Sequence, residues 1–433
     1  MAQKLKFGNG TWATKEGSTL AYNDENNNYK PLPFTTTRDS IATRVNKEGL
    51  IEVVGRDVPR IDYTDSEDGV LLLENSATNL IAYSEDFSQS AWIKTRSSIS
   101  SNSSISPDGT LNADKLIEDT STNTHSTQNN VTIGNVDTTI SVFVKADTRS
   151  RVRFILTDLT TGDYRVDLNL NNLSVIENKG GSRGSWTNTS YKVENFTNNW
   201  YKVSLTATKG AGSQASLSIN LLDNSGNHAY TGDGTSGIYV WGAQLEDGNL
   251  SSYIPTNGST VTRQADTASG AGNDVVFNDS EGVLFADIAA NANDSSERFF
   301  SLSNGSSINR ISMWYYSATN GLAVAIYSGN VVQFFTTTVL PKDTLYNKIS
   351  VKYKQNDFAL WVNGFELATD TSGITPIGLS ELSFDRGDGA LDFYGKTKEI
   401  GYYDTALTDE ELEYLTSYRS LNELVTELNL NTL

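Results

Sequence analysis

Catalytic and metal chemistry in this 433-residue chain would have to come from 52 Asp and Glu side chains and 2 His, with no Cys at all. The absence of Cys removes disulfide frameworks and thiolate metal sites. His125, in "NTHST", and His228, in "SGNHAY", lie far apart in the sequence. Neither stands in a nucleophile-elbow context, which disfavours a Ser–His pair and a His-based metal site. Carboxylates remain. Two placed carboxylates can hydrolyse a glycoside, and carboxylates with carbonyls can hold calcium. Glu85 and Asp86, near one end of a strand-rich block, would meet Glu246 and Asp247, near its other end, if the first and last strands pair. They are the candidate metal set, with two solvated loop ends as the alternative. Structural calcium is the one cofactor the sequence admits, and no EF-hand-like loop is present.

Sugar recognition needs aromatic faces to stack on pyranose rings and planar polar groups to bond their hydroxyls. "GGSRGSWTNTSY" offers Arg183, Trp186 and Tyr191 in a Gly/Ser stretch that reads as a loop exposing the indole. Packing or a subunit contact is the competing role for Trp186. In "RISMWYYSA", Trp314, Tyr315 and Tyr316 cannot all point inward from one strand, and Tyr315 is expected outward. Trp241 is expected between two sheets, and Trp361 to anchor a hairpin opposite Phe365. A formal net charge of -19 opposes binding to nucleic acid and anionic lipid. No run approaches a membrane span, so no membrane insertion is expected. "MAQKLKFGNGTWATKEG" has no apolar core and is not read as a secretory signal.

The elements that would position these residues are strands. Length predicts two or three domains, and 37% hydrophobic with 10% aromatic residues suits thin sheets. Residues 1–75 read as an N-terminal attachment arm, interrupted by Pro31 and Pro33, followed by a short β segment. From 76 to 268 strands recur in period 2, with Ile140, Val142 and Val144 on one face, then Val152, Phe154 and Leu156, then Val166, Leu168 and Leu170. "TRQADTASGAGND" reads as a linker, with a domain boundary between Thr262 and Gly272. Residues 269–407 form a second strand-rich block in which Asn363-Gly364 turns a hairpin. At 408–433 a helical region begins with Thr408 and Glu411 in a capping box. Leu412, Leu415, Leu421, Leu424 and Leu428 form its apolar stripe, with a break near Ser420. The expected fold is all-β: two tandem antiparallel β-sandwiches of jelly-roll type, an extended arm and a short C-terminal helical region.

Several blocks carry a family resemblance. "DSIATRVNKEGLIE", "VPRIDY", "LLLENSATNLIAYSEDFSQSAWIKT", "SPDGTLNADKL" and "GAQLEDGNLSSYIPTNGSTVTRQAD" resemble recurring blocks of tailed-bacteriophage virion proteins, the fibres, spikes and receptor-binding or decoration components. Residues 78–265 also resemble carbohydrate-binding-module jelly rolls. "NKISVKYKQNDFALWVNGFEL" and "EIGYYDTALTDEELEYL" resemble the laminin-G/concanavalin-like jelly roll. The resemblance implies a non-enzymatic virion component, docked on other virion proteins through its arm, trimeric by family habit, and adhering to bacterial-surface or mucosal glycan. Phage fibres can also carry a polysaccharide depolymerase. On a concanavalin-like fold that activity would show as Glu-x-Asp-x-Glu on one strand, and the pattern is absent here.

Overall fold

The computed structural model describes residues 3–15, 18–23, 28–134, 137–159, 162–179, 186–210, 212–317, 319–418, 420 and 425. They form two units. One comprises residues 42–53 and 76–263; the other comprises 1–41, 54–75 and 264–433.

The 42–53/76–263 unit contains two six-stranded antiparallel sheets. In the first, Trp92–Thr95, His125–Thr132, Gln214–Leu221, Arg151–Thr157, Asp163–Asn169 and Ser174–Lys179 follow one another in space. The second runs Ser97–Ile105, Leu111–Glu118, Gly237–Asp247, Asp137–Ala146, Trp200–Lys209 and Trp186–Phe196. The period-2 faces read from sequence form the core: Val152, Phe154 and Leu156 pack with Ile140, Val142, Val144, Val166 and Leu168. Trp241 departs from expectation. Val240 faces this core, whereas Trp241 packs on the opposite side of its strand with Phe143, Trp200 and Tyr253. A bulge opposite Val142 then shifts the alternation, so Ala243 and Leu245 return to the core. Gly242 sits in that bulge, where a Cβ would lie 2.8 Å from the Phe143 ring.

The other unit is built on a twelve-stranded sheet facing a five-stranded one. The large sheet includes, in spatial order, Asn28–Thr37, Ser18–Asn23, Leu5–Gly8, Gly395–Tyr403, Glu281–Ala290, Asn347–Lys354, Phe358–Val362 and Phe365–Asp370. The N-terminal arm is therefore corrected. Leu5–Gly8 pairs with Gly395–Tyr403, and Leu5, Phe7 and Phe34 are buried in the unit's core. The pattern "LKFG" is too short to signal a strand by periodicity, and the two prolines disguise another. Pro31 and Pro33 fall in an irregularity of register between the Thr19–Phe34 and Ala21–Lys30 pairs, where ladder donors are not required. The expected linker is corrected too. Val261–Arg263 pairs with Ala77–Asn79 inside one unit, and Thr267–Ser269 pairs with Asn28–Thr37 inside the other. Ala268 and Ala271 are buried. Small residues there serve close packing rather than flexibility.

The Asn363-Gly364 turn forms as expected, with φ of 52° and 88°. Trp361 is buried but pairs with Glu366, and Phe365 is 71% exposed. Helix Asp409–Thr416 starts at Thr408 with the full capping box. Leu412 is buried, and Leu415 packs against it in a cluster with Val283, Ala359, Trp361 and Tyr403. Leu421, Leu424 and Leu428 lie outside the described residues. No helix among the described residues is long and apolar enough to cross a membrane.

A buried ionic cluster joins the separate segments of this unit. Arg38 Nη1 donates to Asp266 Oδ1 at 2.9 Å, Arg60 Nη2 donates to Asp266 Oδ2, and Arg60 Nη1 donates to Glu74 Oε2 at 2.5 Å. Arg38 also donates to the carbonyls of Ser40, Gly55 and Val58. Burial opposes the charge of Arg60, but Asp266 and Glu74 more than offset it, and its pKa is raised. Removing one partner of such a cluster strands charge in a dry site, at about 3–5 kcal/mol. Asp266→Ala is expected to cost that much in urea unfolding followed by near-UV circular dichroism. A loss below about 1 kcal/mol would show that the cluster does not hold the segments together.

Candidate functional site

In the 42–53/76–263 unit, the sheet face turned away from the core is polar. Strand alternation places it there: Ala215, Leu217 and Ile219 point into the core, so Ser216, Ser218 and Asn220 point out. The same parity brings Gln128, Ser218, Ile155 and Arg165 into one cross-strand row, and Ser126, Asn220, Arg153, Asp167 and Glu177 into the next. Small residues make the floor. Ser218 is only 5% and Asn220 4% exposed, shaded by longer neighbours.

The face is partly pre-paired. Arg153 grips Asp167 through two bonds, Nε to Oδ1 at 2.6 Å and Nη2 to Oδ2 at 2.7 Å, and reaches Glu177 at 3.0 Å. Asn220 Nδ2 donates to Ser218 Oγ at 3.0 Å. His228 Nε2 lies 3.2 Å from Asn220 Oδ1. Burial first, and the Arg153 charge second, push the His228 pKa down, so its imidazole is neutral near pH 7. Two buried groups on the face, Ser216 Oγ and Arg165 Nε, have no hydrogen-bond partner among the described residues. A buried polar group without a partner is costly unless water or a ligand completes it. Both carboxylates are already engaged by Arg153, and the arrangement offers hydroxyl, amide, imidazole and guanidinium groups for recognition rather than a nucleophile.

The structure redistributes the residues expected from sequence. Trp186 begins a strand rather than lying in an exposed loop; it is fully buried, and its Nε1 donates to the Gly162 carbonyl at 3.2 Å. Tyr191, on the same edge strand, is 39% exposed. Arg183 lies outside the described residues. Tyr315 points into the core, its hydroxyl donating to the Ile288 carbonyl at 2.9 Å, while Trp314 is only half-buried and stacks on Phe299. The difference is one of register: the inward parity of this strand is shifted by one residue from the expected one.

Three of the four candidate metal carboxylates have hydrogen-bond partners of their own. Glu85 accepts from the Tyr253 hydroxyl at 2.9 Å and from Asn112, and burial pushes its pKa up. Burial works against the Asp86 charge, yet hydrogen bonds from Ser88 and Gln89 hold its pKa down. Asp247 is exposed at a strand end. Glu246 is fully buried and accepts from both the backbone N–H and the hydroxyl of Ser251. Among the described residues no three acidic or His side chains converge on a cation position.

What sequence reasoning missed was the polar face itself. Its signal was present in "ASLSIN" and "YRVDLN", where the residues between core positions are Ser, Asn, Arg and Asp.

Glu246 gives a pH test. Burial raises its folded-state pKa above the unfolded value. Its contribution to stability is therefore fully present below the unfolded pKa and is lost as pH rises through the folded one. Glu246→Gln keeps an acceptor for Ser251 and removes the charge. It is expected to raise the melting temperature of this unit at pH 7 and to narrow the difference from wild type at pH 4. Equal destabilisation at both pH values would contradict this.

No family model matches the sequence, and no curated protein matches it. Among solved structures, similarity is found to the CBM40 module of the Ruminococcus gnavus IT-sialidase bound to alpha2,3 sialyllactose. Identity is 17%, covering 34% of this chain and 94% of that one, with a TM-score of 0.29. Domain 4 of the GH43 extracellular arabinanase AbnA from Geobacillus stearothermophilus, in complex with arabinotriose, is 12% identical over 40% of this chain and 83% of that one, with a TM-score of 0.29. The mouse laminin alpha1 chain, domains LG4-5, is 10% identical over 64% of this chain and 86% of that one, with a TM-score of 0.23.

Proposed function

We propose that the chain is a structural component of a bacteriophage particle, in a head or tail fibre or spike, which adheres to host-surface glycan without being an enzyme. The virion part of this reading is supported by the sequence blocks that resemble tailed-phage virion proteins. The adhesion part is supported by the polar sheet face, where the half-buried Gln128 and Arg165 flank Ser218 in one cross-strand row. Hydroxyl-rich ligands bond to such groups, and amide and guanidinium planes select their orientation. In this reading the protein works in the virion, as a homotrimer against other virion proteins. With residues 5–8 and 28–37 built into a sheet, particle contacts use folded surface rather than a free arm.

A glycan array probed with the purified chain tests the proposal. Binding to at least one bacterial-surface or mucosal glycan is expected. Arg165→Ala should weaken it about tenfold or more, roughly 1.4 kcal/mol, with the melting temperature unchanged; Asn220→Ala should weaken it as well, with some loss of stability from its bonds to Ser218 and His228. Binding that survives both substitutions would remove the face from the argument. The alternative, a polysaccharide depolymerase, predicts release of reducing ends from capsule; its detection would overturn the non-enzymatic reading.

A further inference from the structure

A second polar site lies in the other unit, on the outer face of the twelve-stranded sheet. Register places Gly8, Glu399, Asp287 and Lys348 in one cross-strand row. The neighbouring row on the same face is Lys6, Gly401, Phe285 and Ser350. Helix Asp409–Thr416 covers the sheet further along, at Val283 and Tyr403. Between the helix residue Leu415 and the Ser66–Gly69 turn a cleft of ≈ 470 Å³ remains open, lined from these rows by Lys6, Phe285, Asp287, Lys348 and Glu399. That volume lies within the range of about 300–1,000 Å³ usual for small-molecule sites.

The Gln3 amide is the informative group. Its side chain lines the cleft, the residue is only 6% exposed, and Nε2 has no hydrogen-bond partner among the described residues. The amide sits against Gly401, where a Cβ would come within 2.3 Å of Nε2. The backbone thus makes room for a donor that the protein does not use. Around it the charges balance, with Lys6, Lys348 and Lys398 set against Asp68, Asp287 and Glu399. Phe285 adds a ring to the floor. A lining without excess charge, offering donors and acceptors beside an aromatic ring, suits a neutral polyhydroxylated ring better than an ion.

We propose that this cleft is a separate saccharide site that takes one uncharged sugar unit. It is independent of the polar face described above, so the chain would hold glycan at one point in each unit.

The test uses the full chain carrying Arg165→Ala, which disables the first face, titrated calorimetrically with glucose, galactose, N-acetylglucosamine and glucuronate. At least one neutral sugar should bind. Adding Gln3→Met, which keeps the side-chain length without the donor, should weaken that binding about tenfold with the melting temperature unchanged. Gly401→Ala should do the same by displacing the amide. If Gly401→Ala does not fold, Gln3→Met alone decides. Three results would each overturn the proposal: no neutral sugar binding, binding of glucuronate alone, or a Gln3→Met chain that binds like its parent. Failure of the polar-face reading would appear separately, as array binding unaffected by Arg165→Ala.

Discussion

The fold of the larger-sheet unit rests on one buried carboxylate. Asp266 receives guanidinium groups from Arg38 and Arg60 and the backbone N–H of Glu74. These residues lie close to the places where the chain leaves and re-enters the unit, after residues 41 and 75 and before 54 and 264. Burying charge is not by itself a source of stability, since desolvation offsets most of the attraction. What a fully satisfied buried cluster does is discriminate. Any arrangement that brings the wrong segments together leaves an arginine or a carboxylate dry and unpaired. The cluster thus specifies which of three sequence-distant pieces meet, a task that interchangeable aliphatic side chains perform poorly.

This gives the family-like blocks a physical meaning. "VPRIDY" contains Arg60, "LLLEN" contains Glu74, and "TRQAD" contains Asp266. Residues that looked like a signature of function are the two sides of an internal clasp. The cleft, with the turn at Ser66–Gly69 and the N-terminal strand that line it, lies outside those blocks, as do Ser218, Asn220, Arg153 and Arg165 of the polar sheet face. A signature of this kind marks a scaffold, and outward positions between core residues can change without touching the fold.

Strands with strict alternation were legible in the sequence, because seven or more residues in period 2 fit little besides a strand with one buried face. The helix start at Thr408 was legible for a similar reason: a capping box is local chemistry. Discontinuity was not legible. No local pattern in "LKFG" announces a partner strand at 395–403, and the linker reading of "TRQADTASGAG" followed a compositional rule that close packing also satisfies. Site residues failed on parity. That holds for Tyr315, in an aromatic run where a one-residue shift decides between solvent and core; Trp186 failed differently, because the Gly/Ser stretch before it hid the strand that it begins. The groups left without partners, Ser216 Oγ, Arg165 Nε and Gln3 Nε2, are defined by what surrounds them in space and have no sequence signature.

The pairing of Leu5–Gly8 with Gly395–Tyr403 has a consequence for synthesis. Chains emerge from the ribosome N-terminus first, and units fold when their last segment appears. The 42–53/76–263 unit is complete once residue 263 has emerged. The first strand of the other unit must then wait for its neighbour until almost the entire chain has been made. For that interval it is an unsatisfied edge tethered to an already folded body. Closure over so large a loop is slow, and in a crowded polysome the matching strand of an adjacent nascent chain is available to it. The order of the segments along the chain thus leaves this strand open to exchange between copies until its own partner has been made.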